Sequence, residues 1–117
     1  MWVDGIYADA APDRARPAVV RFAPGARSHW HAHRLGQTLH IVGGIAPLGS
    51  RDGAVIEARP GDTVRTAPGE EHWHGAAPDR FVAHLVLMEG DTSDAPLTEW
   101  AKQVTDDTYR APRTPTR

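Results

Sequence analysis

The stretch HWHAHRLGQTLHIVGG, residues 29–44, carries a histidine at each of positions 29, 31 and 33 and then alternates polar with apolar side chains. Period two is the period of a β-strand, so His29, His31 and His33 share one face while Trp30 and Ala32 take the other. Histidine is neither a favoured strand former nor an easily buried residue, and a row of imidazoles on one face therefore calls for a role. The device recurs in EHWHG (71–75), where His72 and His74 face one way and Trp73 the other. Two imidazoles at i and i+2 of a strand point in the same direction, close enough to hold a single metal ion.

The same period extends outward from these clusters. Short strands are expected at AVVRF (18–22), HWHAH (29–33), QTLHIV (37–42), AVIEA (54–58), DTVRT (62–66), EHWHG (71–75) and RFVAHLVLM (80–88). Eleven glycines and ten prolines punctuate the chain between them, with GSRDG (49–53) reading as a hairpin loop. Helical spacing of apolar residues emerges only in LTEWAKQVTDDTY (97–109), through Leu97, Trp100, Ala101 and Val104. The expected organisation is an N-terminal arm (1–17), an all-β barrel or sandwich (18–90), a C-terminal helical segment (91–110) and a loose tail (111–117).

Composition narrows the function. A chain of 117 residues makes one domain. Thirteen Lys and Arg against fifteen Asp and Glu leave a net charge of -2, with no basic stripe for nucleic acid or an anionic membrane. Cysteine is absent, so a metal would have to be held by nitrogen and oxygen donors. No leader-like or membrane-spanning apolar run is read, which points to a cytoplasmic protein acting on a small molecule.

Two motifs carry a family resemblance. Gly25, His31, His33, Gln37 and Gly44 reproduce the spacing of the first cupin motif, G(x)5HxH(x)3-4E(x)6G, with glutamine in place of the usual glutamate. GDTVRTAPGEEHWHGA resembles the second motif through Gly61, Gly69 and His72, with Ala67 and Ala76 replacing its proline and asparagine. More narrowly, WHAHRLGQTL together with PGEEHWHGAAPDRF is similar to the small bacterial manganese-dependent hydroxynitrile lyases of the cupin type, Arg34 standing at a position where that group carries proline. The resemblance implies a single cupin barrel of jelly-roll type with a short C-terminal helix. It further implies a metal held by His31, His33, Gln37 and His72, with His74 and His84 beside the open coordination positions; a homodimer is expected from an apolar strand edge and the N-terminal arm.

Three neutral imidazoles and a carboxamide leave the double charge of a divalent ion uncompensated, which favours substrates that develop an anionic oxygen. The resemblance makes manganese the preferred ion, while the donors themselves suit manganese, iron, cobalt, nickel or zinc alike. The leading reading is cyanohydrin cleavage to an aldehyde and hydrogen cyanide. His74 is then the base, and His84 assists or protonates the departing cyanide; hydrogen-bond support of the metal ligands is the competing role for both. Two other readings stand beside it: an iron-dependent cupin dioxygenase, and a non-enzymatic cupin that binds a metal or small molecule. His40 is expected on the face opposite Gln37 and Leu39, His29 at the strand start on the ligand face or in solvent, and Arg34 in water or near the pocket mouth. Trp30 and Trp73 are expected outside the barrel or at a dimer contact, Trp2 on a strand laid against a partner subunit, Trp100 on the closing helix, and Glu70 and Glu71 in solvent.

Overall fold

The computed structural model describes residues 1–6, 15–90 and 96–116. Alternation of apolar and polar residues becomes strand wherever it was expected. β1 is Trp2–Gly5, β2 Ala18–Phe22, β3 His31–His33, β4 Gln37–Gly44 and β5 Ala46–Ser50. β6 is Val55–Ala58, β7 Thr63–Thr66, β8 His72–His74, β9 Val82–Leu87 and β10 Thr98–Trp100; a short helix α1, Asp106–Tyr109, and β11, Arg113–Pro115, complete the chain.

Two sheets result, one in the order β1-β2-β9-β4-β7 and the other β10-β3-β8-β5-β6-β11. Among the described residues every strand pairing is antiparallel except that of β11 with β6. Inward residues of the first sheet, Val20, Phe22, Leu39, Ile41, Val82 and Val86, pack with Ala46, Leu48 and Ala58 of the second into the main core. A side-chain period of two then decides which polar residues go inside with them. Gln37 shares the inward face of β4 with Leu39 and Ile41, and His84 shares that of β9 with Val82 and Val86.

Turns pin the histidine strands. The carbonyl of His33 accepts from Gly36 N at 3.0 Å and from Gly69 N at 2.9 Å, and the positive φ of Gly69 lets its N–H turn back to β3. Gly44 sits where a Cβ would lie 1.8 Å from the carbonyl oxygen of Phe81, so only glycine fits that crossing of β4 and β9.

The C-terminal region differs from expectation. The helix anticipated over 97–109 is confined to Asp106–Tyr109, because residues 98–100 pair instead with the open edge of β3. Lys102 O and Ala101 N extend that edge by bonding to the main chain of Trp30 at 2.9 and 2.8 Å. The helix starts where a cap allows it: Thr105 is extended and its hydroxyl accepts from Thr108 N at 3.2 Å, with Asp106 and Asp107 in the first turn. Residues 113–115 of the expected tail lie parallel to β6. In the expected arm, Trp2–Gly5 pairs with β2 of the same chain, and residues 7–14 lie outside the described residues.

Trp30 and Trp73 are buried outside the barrel, as their alternation with the histidines requires. With Val55, Val104 and Tyr109 they form a second apolar cluster beneath the C-terminal segment, and the Tyr109 hydroxyl donates to Ala76 O. Arg51 lies 3.8 Å over the Trp30 ring and pairs with Glu71, which is therefore engaged rather than merely solvated. A Cβ at Gly49 would meet Trp73 Nε1 at 2.0 Å. Gly49→Ala is therefore expected to cost about 1–3 kcal/mol through overpacking, read as a lower urea midpoint with an unchanged slope.

Candidate metal centre

β3 and β8 are adjacent antiparallel strands, and His31 is paired in register with His72. That register turns two sequence-distant HxH patterns into one cluster. The ring centroids of His31 and His72 are 4.4 Å apart, those of His31 and His33 4.9 Å and those of His33 and His72 5.2 Å. One donor nitrogen from each of these three rings lies within 4.8 Å of the other two, so the group could hold a metal ion.

Hydrogen bonds to carbonyls fix which nitrogen is on offer in two of these rings. His31 Nδ1 donates to His29 O at 2.8 Å and His72 Nδ1 to Glu70 O at 3.1 Å, while His33 Nδ1 lies 3.1 Å from Thr98 Oγ1. With Nδ1 of His31 and His72 committed to carbonyls, their lone pairs fall on Nε2. Nε2 of His33, Nε2 of His72 and Oε1 of Gln37 are buried with no hydrogen-bond partner. Buried acceptors left unpaired are costly, and a divalent cation would satisfy these two imidazole nitrogens and the amide oxygen together with the clustered His31.

Burial keeps these rings neutral, as metal ligation demands. Desolvation lowers His31 to about 4 and His33 to about 3, and pushes His72 down from its ordinary value. His74 and His84 are held low by the same cause, His84 to about 4, with the neighbouring imidazole of His84 adding to the effect on His74. The unfolded chain, whose histidines titrate near 6.5, therefore binds more protons than the fold below that pH. Stability of the metal-free protein is expected to be full above pH 6.5 and to fall steadily from there towards pH 4, which urea midpoints across that range would show.

His74 and His84 form a second pair, with His74 Nδ1 3.1 Å from His84 Nε2. The His74 ring stands 5.1 Å from that of His31 and meets the edge of Phe22 at 5.4 Å. His31, His33, Gln37 and His74 all line a cavity of about 320 Å³ whose other walls, among them Val20, Val86, Met88 and Trp100, are largely apolar. No carboxylate is among the described residues lining it.

His29 is exposed, its Nδ1 3.3 Å from Ala101 O, and belongs to the solvent side. His40 is on the opposite face from Gln37 and is bonded to Thr63 Oγ1 at 2.8 Å. Arg34 lies outside the cavity, where its Nε donates to Pro96 O at 3.3 Å. Glu70 is exposed, and its carboxylate accepts from Ala67 N at 3.1 Å. Trp100, expected on a helix, instead lies on β10 with its ring 4.8 Å from that of His31. Thr98, Trp100 and Phe22 are the site residues that sequence reading missed. For Phe22 the alternation of β2 held a signal, whereas for the other two the helical spacing hid it.

Residues 18–89 match the cupin domain family. The chain belongs to the cupin family. This cupin is 43% identical over 108 residues, 92% of its own length and 81% of the relative's, to an (R)-mandelonitrile lyase of Granulicella tundricola. A cupin-like protein of Thermotoga maritima superposes with a TM-score of 0.84 at 34% identity, covering 93% of this chain and 81% of that one. A DMSP lyase of Ruegeria pomeroyi shares the fold at a TM-score of 0.71 and 24% identity, over 85% of this chain and 50% of that one.

Proposed function

We propose that this cupin is a metal-dependent hydroxynitrile lyase that cleaves a cyanohydrin to an aldehyde and hydrogen cyanide. The observation that carries the reading is the set of inward donors without partners, Nε2 of His33 and His72 and Oε1 of Gln37, beside a buried, neutral His74 in an apolar cavity. The 43% identity to an (R)-mandelonitrile lyase supports it.

His31, His33, Gln37 and His72 would hold the ion, with manganese the preferred choice. A divalent ion there supplies a Lewis acid for the hydroxyl oxygen of the substrate. His74, neutral through burial, takes the proton of that hydroxyl. The carbon–carbon bond to the nitrile then breaks, its electron pair leaves with cyanide and the aldehyde carbonyl forms. His74 returns its proton to cyanide, so the balance closes on aldehyde, hydrogen cyanide and the original imidazole. His84, bonded to His74 Nδ1, fixes the orientation of that ring. The apolar walls accept the hydrocarbon part of the substrate.

The direct test is benzaldehyde release from racemic mandelonitrile at mildly acidic pH. Manganese-loaded protein is expected to release it well above the spontaneous rate, and chelator-stripped protein is not. Equal rates in both samples would sink the reading.

A further inference from the structure

Thr98 and Trp100 reach the site together because they pair in register with His33 and His31 across the β10–β3 edge. Their roles differ, and Thr98 makes the more specific contact, with its Oγ1 3.1 Å from His33 Nδ1.

The partners of the three clustered rings are not equivalent. His31 and His72 turn Nδ1 to main-chain carbonyls, which only accept, so the proton must sit on Nδ1. His33 instead meets a hydroxyl, which can donate or accept. If the hydroxyl donates, the ring proton moves to Nε2, where the side chain of Gln37 is placed to accept it. That N–H would occupy the lone pair that an ion shared with His31 and His72 needs. If the hydroxyl accepts, Nδ1 keeps the proton and the Nε2 lone pair stays free beside His31 and His72. Among the three rings, His33 thus has its tautomer set by a replaceable side chain.

We propose that Thr98 is a positioning residue of the metal centre: its hydroxyl accepts from His33 Nδ1 and so holds the lone pair of His33 on Nε2. The inference rests on reading the histidine cluster as a metal site. It extends that site to a strand outside the two HxH stretches.

Thr98→Val keeps the shape of the side chain and removes the hydroxyl, and Thr98→Ser keeps the hydroxyl. Mn2+ is titrated into each metal-free protein with the free ion read by electron paramagnetic resonance. The ring tautomer of His33 is read in the same metal-free samples by 15N resonance. Thr98→Val is expected to weaken Mn2+ binding about 10–100-fold and to lose the Nδ1–H tautomer, while Thr98→Ser stays within a few-fold of the parent and retains it. Parent-like binding and tautomer in Thr98→Val would overturn the role, as would equal losses in both variants, which would mark a packing effect. If the parent protein takes up no Mn2+, the metal reading fails, and the tautomer comparison alone then decides whether Thr98 sets the ring.

Discussion

Replacing His74 with alanine is expected to lower mandelonitrile turnover by about 10²–10⁴-fold, the usual contribution of a positioned proton acceptor, with metal content unchanged. The expectation follows from where His74 stands. It lines the cavity with His31, His33 and Gln37 but is not one of the three rings grouped around a common point. Its Nδ1 is turned to His84, which leaves Nε2 as the atom that can meet a substrate hydroxyl. Burial and the surrounding imidazoles disfavour its charged form, so it is a free base at neutral pH. Metal content and urea midpoint of the variant are measured alongside turnover. A variant that keeps its ion, its stability and its turnover would remove His74 from the chemistry.

The largest expected loss of stability comes from the residue between the two site histidines of β8. Trp73 is 0% exposed and faces outward, into the cluster formed with Trp30, Val55, Val104 and Tyr109. Its ring lies 5.8 Å from that of Tyr109, whose hydroxyl ties the C-terminal segment to Ala76 O. Trp73→Ala is expected to cost about 3–5 kcal/mol, from lost burial and the cavity left behind. The same segment carries Thr98 to His33, so the variant should also bind Mn2+ more weakly than its lost stability alone would require. A change in urea midpoint equivalent to less than about 1 kcal/mol would show that the outer cluster does not anchor the segment.

How much of this was legible in the chain depends on where the deciding interaction lies. β2, β4 and β9 announce themselves because inward Val20, Phe22, Leu39, Ile41, Val82 and Val86 alternate with outward residues. The HxH stretches are legible for the same reason, since a period of two fixes their shared face before any partner is known. β5 was hidden because Pro47 and Gly49 are poor strand residues, and it forms because its neighbours β6 and β8 supply both sides of its ladder. β10 was hidden more deeply. Leu97, Trp100, Ala101 and Val104 fit a helical stripe, yet the unpaired edge of β3 offered hydrogen bonds that outweighed local preference. Thr98 and Trp100 were lost with it, because their place at the site exists only once that edge is filled. Gln37 was named through motif spacing, and its orphaned buried oxygen now gives it a physical reason.

If the chain is a lyase of this kind, one ion at the histidine cluster is expected to carry its activity. The most direct measurement titrates Mn2+ into chelator-stripped protein while bound ion and benzaldehyde release from mandelonitrile are followed in the same sample. Activity is expected to rise in proportion to bound ion and to level off at one ion per chain. Activity that stays at the stripped level while the site fills, or that is already full before any ion binds, would contradict it.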